Sequence, residues 1–132
     1  MSYIDMPYIY IRHQEDDFLK IAVIGSRNLV VNIERYIPSE ITELISGGGK
    51  GIDSLAEQFA DQNCIPKRIL KPEYDKYGRK APLIRDRQIV DCADLVVAVW
   101  DGFSSGTWYT INYARRIGKP VKVYQIPSFE RT

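Results

Sequence analysis

A chain of 132 residues, 45% hydrophobic and 27% charged, has the composition of one globular domain. At this length folding removes roughly 65% of the unfolded chain's surface from water. The net charge of +1 gives no global case for a nucleic-acid partner, and no apolar run approaches the ~20 residues that span a bilayer.

The first residues, MSYIDMPYIYIRHQEDDF, lack a basic region followed by an apolar stretch. The expectation is a cytoplasmic protein with no secretory signal and no membrane partner. Cys64 and Cys92 have no zinc-type spacing and read as buried thiols in a reducing compartment. The single histidine, His13, lies far from the rest of the polar motifs, which excludes a histidine triad or zinc site on the main domain.

Residues 1–18 form an N-terminal extension. Tyr3, Ile4, Tyr8, Ile9, Tyr10 and Ile11 make it too apolar for a solvated tail. It reads either as an arm on its own domain or as an arm that packs on a second subunit, giving a homo-oligomer. Residues 19–127 carry the domain proper, and 128–132 are a short tail.

Lys20–Gly25 (KIAVIG) is a short apolar run closed by glycine, hence a buried strand. A short helix is expected near Val30–Ile37, stopped by Pro38. Thr42–Ser46 reads as the second strand. Ile52–Asn63 places Ile52, Leu55, Ala56, Phe59 and Ala60 on one helical face. Arg68–Lys71 is a third strand and Pro82–Asp91 a helix. Leu95–Trp100 (LVVAVW) is the clearest buried strand. Thr107–Ile117 is a helix closed by Gly118 and Pro120, and Val121–Ile126 is the last strand.

Strands with little alternation, separated by helices, imply a parallel sheet covered on both faces. With right-handed crossovers, the expected fold class is α/β: a Rossmann-like three-layer αβα domain with a five-stranded parallel sheet, ordered 3-2-1-4-5.

Three loops carry the polar chemistry. They are Gly25-Ser26-Arg27, then Ser46-Gly47-Gly48-Gly49-Lys50-Gly51-Ile52-Asp53, then Asp101-Gly102-Phe103-Ser104-Ser105-Gly106-Thr107. In the order 3-2-1-4-5 they follow adjacent strands and share one sheet edge. Each enters a helix, whose free N–H groups and partial positive charge favour an anion. Glycine permits close backbone approach, hydroxyls add donors, and Arg27 and Lys50 add charge.

The expected ligand-binding set is therefore Gly25, Ser26, Arg27, Gly47, Gly48, Gly49, Lys50, Gly51, Asp53, Arg85, Gly102, Ser104, Ser105, Gly106, Thr107 and Trp108. Arg85 enters as a phosphate clamp, or else as a surface arginine paired with Asp86 or Asp91. Trp108 enters as a stacking ring, as Tyr74 or Tyr77 could also be, whereas Trp100 reads as core. Asp53 and Asp101 are weak catalytic candidates. No cofactor is expected. There is no G-x-x-x-x-G-K-[ST] and no G-x-G-x-x-G after the first strand, so neither a P-loop nucleotidase nor an ordinary dehydrogenase is implied. Residues 65–87 hold eight basic side chains against three acidic ones, a local excess of +5. That run is either a solvated face or a surface for single-stranded nucleic acid.

SGGGKGIDSLAEQFA, IRDRQIVDCADLVVAVW and DGFSSGTWYTINYARRIGKPVKVY together resemble the SLOG superfamily, which includes the DNA-processing Smf/DprA proteins and the LOG phosphoribohydrolases. The segment Tyr74–Asp86 is similar to the W-x-x-Y-G-x-x-A-G-P-I-R-N stretch of the small YspA-like branch. The resemblance covers roughly residues 20–126 and implies a nucleotide-derived ligand at the glycine loops. Three departures stand out. Thr110 occupies the place of the catalytic glutamate in the LOG pattern P-G-G-x-G-T-x-x-E, and a threonine cannot act as a base. Pro82 replaces the branch's usual glycine, and Asp86 its asparagine. A module that binds an ADP-ribose derivative, a cyclic nucleotide or a similar molecule is thus favoured over a LOG-type hydrolase.

Overall fold

The computed structural model describes residues 18–127; residues 1–17, the N-terminal arm up to its last residue, and residues 128–132 lie outside them. In chain order the elements are β1 (Lys20–Gly25), a 3-10 turn (Ile33–Tyr36), β2 (Glu43–Ser46), α1 (Ile52–Gln62), β3 (Lys67–Ile69), α2 (Tyr74–Tyr77), a second 3-10 turn (Gly78–Lys80), α3 (Ala81–Cys92), β4 (Leu95–Trp100), α4 (Ser105–Arg116) and β5 (Val121–Gln125). All four strand pairings are parallel, and the order is β3-β2-β1-β4-β5. The sheet is the one expected from the sequence.

The sequence of β1 shows why both faces are covered. Ile21 and Val23 join one core cluster, with Leu44, Ile52, Ala56 and Val97. Ala22 and Ile24 join the other, with Ile45, Ile89, Val96 and Ile111. Successive side chains of a strand point to opposite faces, so an unbroken apolar run must be sandwiched. Burying each isoleucine contributes about 1.5–3 kcal/mol. α1 turns Ile52, Ala56 and Ala60 inward, which packs it on the first cluster. α4 ends where Gly118, at φ +78°, takes the left-handed conformation that an L-side chain resists.

Three details differ from expectation. The helix near Val30 is a single 3-10 turn, bounded by Pro38. Residues 74–80, which the sequence left without an element, form α2 and the second 3-10 turn. Cys64 is exposed and Cys92 only partly buried, which corrects the picture of two buried thiols. Cys64 follows the end of α1 with φ +57°, and this turn holds it outside the core. No described helix is long and apolar enough to cross a membrane.

Candidate functional site

β2, β1 and β4 end side by side, and the strand order reverses between β1 and β4. Such a switch point leaves a crevice beyond the carboxyl ends of the strands. Here it is a cleft of about 740 Å³, lined by Gly25, Ser26 and Arg27 from the first loop, Gly47, Gly48, Gly49 and Asp53 from the second, and Asp101, Ser104, Ser105, Gly106 and Thr107 from the third, with Arg85 between them. That volume lies within the range of small-molecule sites, about 300–1,000 Å³.

The glycines divide into two kinds. A Cβ at Gly25 would lie 2.3 Å from the Val99 carbonyl oxygen, and one at Gly51 would lie 2.5 Å from the carbonyls of Ser26 and Arg27. Both are demanded by internal packing. The run Gly47–Gly49 is different, because side chains from three elements surround it. An added Cβ at Gly47 would meet an Arg85 terminal nitrogen at 2.9 Å, at Gly48 the Lys71 stem at 3.5 Å, and at Gly49 the Arg27 Nε at 4.0 Å. Arg85, the Lys71 stem and Arg27 thus border one glycine-rich turn, together with the Asp53 carboxylate at 3.1 Å from the Gly47 and 3.0 Å from the Gly49 position. A Cβ at Gly106 would meet nothing within 4 Å, so this residue opens onto free space at the start of α4.

Arg85 holds the cleft together. Its side chain is 17% exposed. Its Nε donates to Asp86 at 2.9 Å, and one terminal nitrogen donates to the carbonyls of Gly47 at 2.7 Å and Leu70 at 3.2 Å. It ties α3 to the glycine turn and to the end of β3. The pairing with Asp86 was one of the two alternatives read from the sequence. The residue is nevertheless half-sunk in the cleft wall, unlike a surface pair.

Three carboxyl groups face the cleft in different states. Asp53 Oδ2 accepts the Gly49 N–H at 3.0 Å. Burial pushes this carboxyl up to about 6; Glu57 and Asp86 add to the shift, and the Gly49 N–H and Arg85 oppose it. Asp86 is also raised by burial, against the pull of Arg85 and the Thr110 hydroxyl. Asp101 is buried, but the N–H groups of Phe103 and Ser104 and the hydroxyls of Ser104 and Ser26 outweigh the burial and hold it down at about 2. Its Oδ1 accepts both N–H groups at 2.8 Å, and the Asp101 N–H donates to Ser26 Oγ at 3.0 Å. Asp101 therefore builds the third loop. A carboxylate this firmly ionised is a poor proton donor near neutrality.

Four residues assigned to the ligand from sequence lie outside the cleft lining: Lys50, Gly51, Gly102 and Trp108. Lys50 is exposed before α1. Gly102, at φ +88°, turns the loop against the Gln125 side chain. Trp108 stacks on Trp100 with ring centroids 5.1 Å apart, and Trp100 Nε1 donates to the Ser104 carbonyl at 3.0 Å. The tryptophan pair braces the third loop. Conversely, Lys71, Pro72, Pro82, Asp86 and Thr110 line the cleft without having been assigned to it, and so does Tyr74, read from the sequence as a possible stacking ring. Tyr74 is 59% exposed and so offers a ring face at the rim. Thr110 is buried; its hydroxyl lies 3.0 Å from the Gly106 carbonyl and also reaches the Asp86 carboxyl. Among the described residues no group of three or more His, Cys, Asp or Glu is arranged to hold a metal ion.

No protein-family model and no curated protein matches the chain. Among solved structures, the chain is similar to DNA processing protein A (DprA) from Streptococcus pneumoniae, with a TM-score of 0.68 and 22% identity. The match covers 80% of this chain and 50% of the neighbour, so the chain spans about half of that protein's length. At this identity the likeness concerns the fold: the five-stranded, Rossmann-like α/β architecture is that of the DprA structure.

Proposed function

We propose that the cleft binds a nucleotide-derived ligand, such as a cyclic nucleotide or an ADP-ribose derivative, and that the protein acts as a sensor, carrier or sequestering module. The observation that carries this reading is that Arg27, Lys71 and Arg85 line the cleft beside Gly47–Gly49, and that the cleft also holds the start of α4. A backbone turn without side chains, flanked by cations and by free helix N–H groups, suits a phosphate. Tyr74 at the rim suits a base. Membership of the SLOG superfamily, in its YspA-like branch, accords with the same reading. Titration calorimetry with a nucleotide panel tests it. At least one member binds the wild-type protein and none binds Gly106→Glu, whose new side chain projects into the free space with negative charge.

A second reading, hydrolysis of the bound nucleotide, has one observation in its favour. Asp53 faces the cleft with a carboxyl raised to about 6, a value suited to proton transfer near neutrality. Free base or ribose phosphate released over many turnovers, and lost in Asp53→Asn, would establish it. The third reading, a single-stranded nucleic-acid binder, draws on the basic run 65–87 and on the neighbour's name as a DNA-processing protein. It requires an affinity that falls steeply with salt. The oligomer built through residues 1–18 belongs to this proposal as well.

A further inference from the structure

The nucleotide reading leaves open how much charge the ligand carries, and the lining of the cleft speaks to that. Three cations line it, Arg27, Lys71 and Arg85, against three carboxyl groups, Asp53, Asp86 and Asp101. The formal charges cancel before any ligand enters. Arg85 is moreover already engaged by Asp86 at 2.9 Å and by two peptide carbonyls. Arg27 and Lys71 therefore carry the attraction for an anion. Asp53 stands against them, beside both Gly47 and Gly49 at 3.1 and 3.0 Å from the Cβ positions.

We infer that Asp53 and Asp86 are specificity residues of this cleft, restricting it to ligands with a single negative charge, the phosphodiester class, and disfavouring phosphomonoesters and polyphosphates. The inference rests on the nucleotide reading. A negative charge at the glycine turn meets Asp53 as well as Arg27 and Lys71, and each further charge in the cleft meets Asp53 and Asp86 with Arg85 already paired. Like charges brought together in a partly desolvated site are costly, and the cost grows with each added charge. Glu57, one turn along α1 from Asp53, adds to the repulsion; it accepts the Ser46 hydroxyl at 2.8 Å.

The test is titration calorimetry at pH 8 with 3′,5′-cyclic AMP, AMP and ADP, one base carrying about one, two and three negative charges. The expected result is an affinity that falls on the order of tenfold for each added charge. In Asp53→Asn and Asp86→Asn the preference for cyclic AMP over ADP shrinks, with folding verified by thermal melting. An affinity that rises from cyclic AMP to ADP overturns the inference and leaves the nucleotide site standing. So does an unchanged preference in both folded variants. Failure of all three ligands to bind overturns the nucleotide reading itself, and the inference with it.

Discussion

Removing Arg85 should damage the fold before it damages any ligand. The side chain makes one ion pair, to Asp86, and two charged hydrogen bonds to carbonyls, from a position 17% exposed. Each charged hydrogen bond is worth about 1.5–3 kcal/mol, though the three are not additive. Arg85→Ala also leaves the Asp86 carboxylate, 19% exposed, without its counter-charge. For a fully buried pair that loss costs about 3–5 kcal/mol; partial exposure reduces it. The combined expectation is a destabilisation of about 2–4 kcal/mol. With a urea slope of about 1–3 kcal/mol/M for a domain of this size, the unfolding midpoint drops by roughly 1–2 M. Equilibrium urea unfolding followed by tryptophan fluorescence measures it. Arg85→Lys keeps the charge but loses the fork and should recover less than half of the drop. A midpoint unchanged in Arg85→Ala, with nucleotide affinity lost, would refute the bracing role and make Arg85 a ligand clamp alone.

Other expectations are more local. Gly106→Glu should keep its melting temperature within a few degrees, because its Cβ meets nothing within 4 Å, while nucleotide binding by calorimetry disappears. The Asp53 carboxyl, raised from 3.8 to about 6, binds its proton more tightly folded than unfolded. Its contribution therefore lowers stability as pH rises from about 4 to 6, and Asp53→Asn should remove that part of the slope in urea titrations. Asp101, lowered to about 2, has the opposite sign. Its stabilisation is present above about pH 4 and is lost as pH falls toward 2, so Asp101→Asn should flatten the acid limb of the stability curve by about 2 kcal/mol. Deleting residues 1–18 should lower the mass seen by light scattering; a monomeric full-length chain would end the oligomer proposal.

The sheet was readable because its strands are short, apolar and bounded by glycine or proline, as in KIAVIG and LVVAVW. Once helices alternate with such strands, handedness leaves few orders. The convergence of three loops at one edge followed from that order. Apart from Arg85 and a possible stacking role for Tyr74, what the sequence could not show was the wall contributed by residues 71–86. Pro72 and Gly78 break any periodicity there, and α2 is only four residues long. Its place beside the glycine turn depends on the packing of α3. The roles of individual glycines were equally hidden. Gly25, Gly51 and Gly106 look alike as letters, but two abut carbonyl oxygens and the third faces open space. The stacking of Trp108 on Trp100 was not legible either, because Trp100 lies eight positions back and meets it only through the turn of the third loop.

The most direct test of the nucleotide site is mass spectrometry of the small molecules released by heating the purified protein, wild type beside folded Gly106→Glu. A phosphate-bearing nucleotide derivative is expected from the wild type and none from the variant, because the two differ only where the start of α4 opens into the cleft. Equal recovery of the same molecule from both proteins would contradict it, since the ligand would then sit elsewhere.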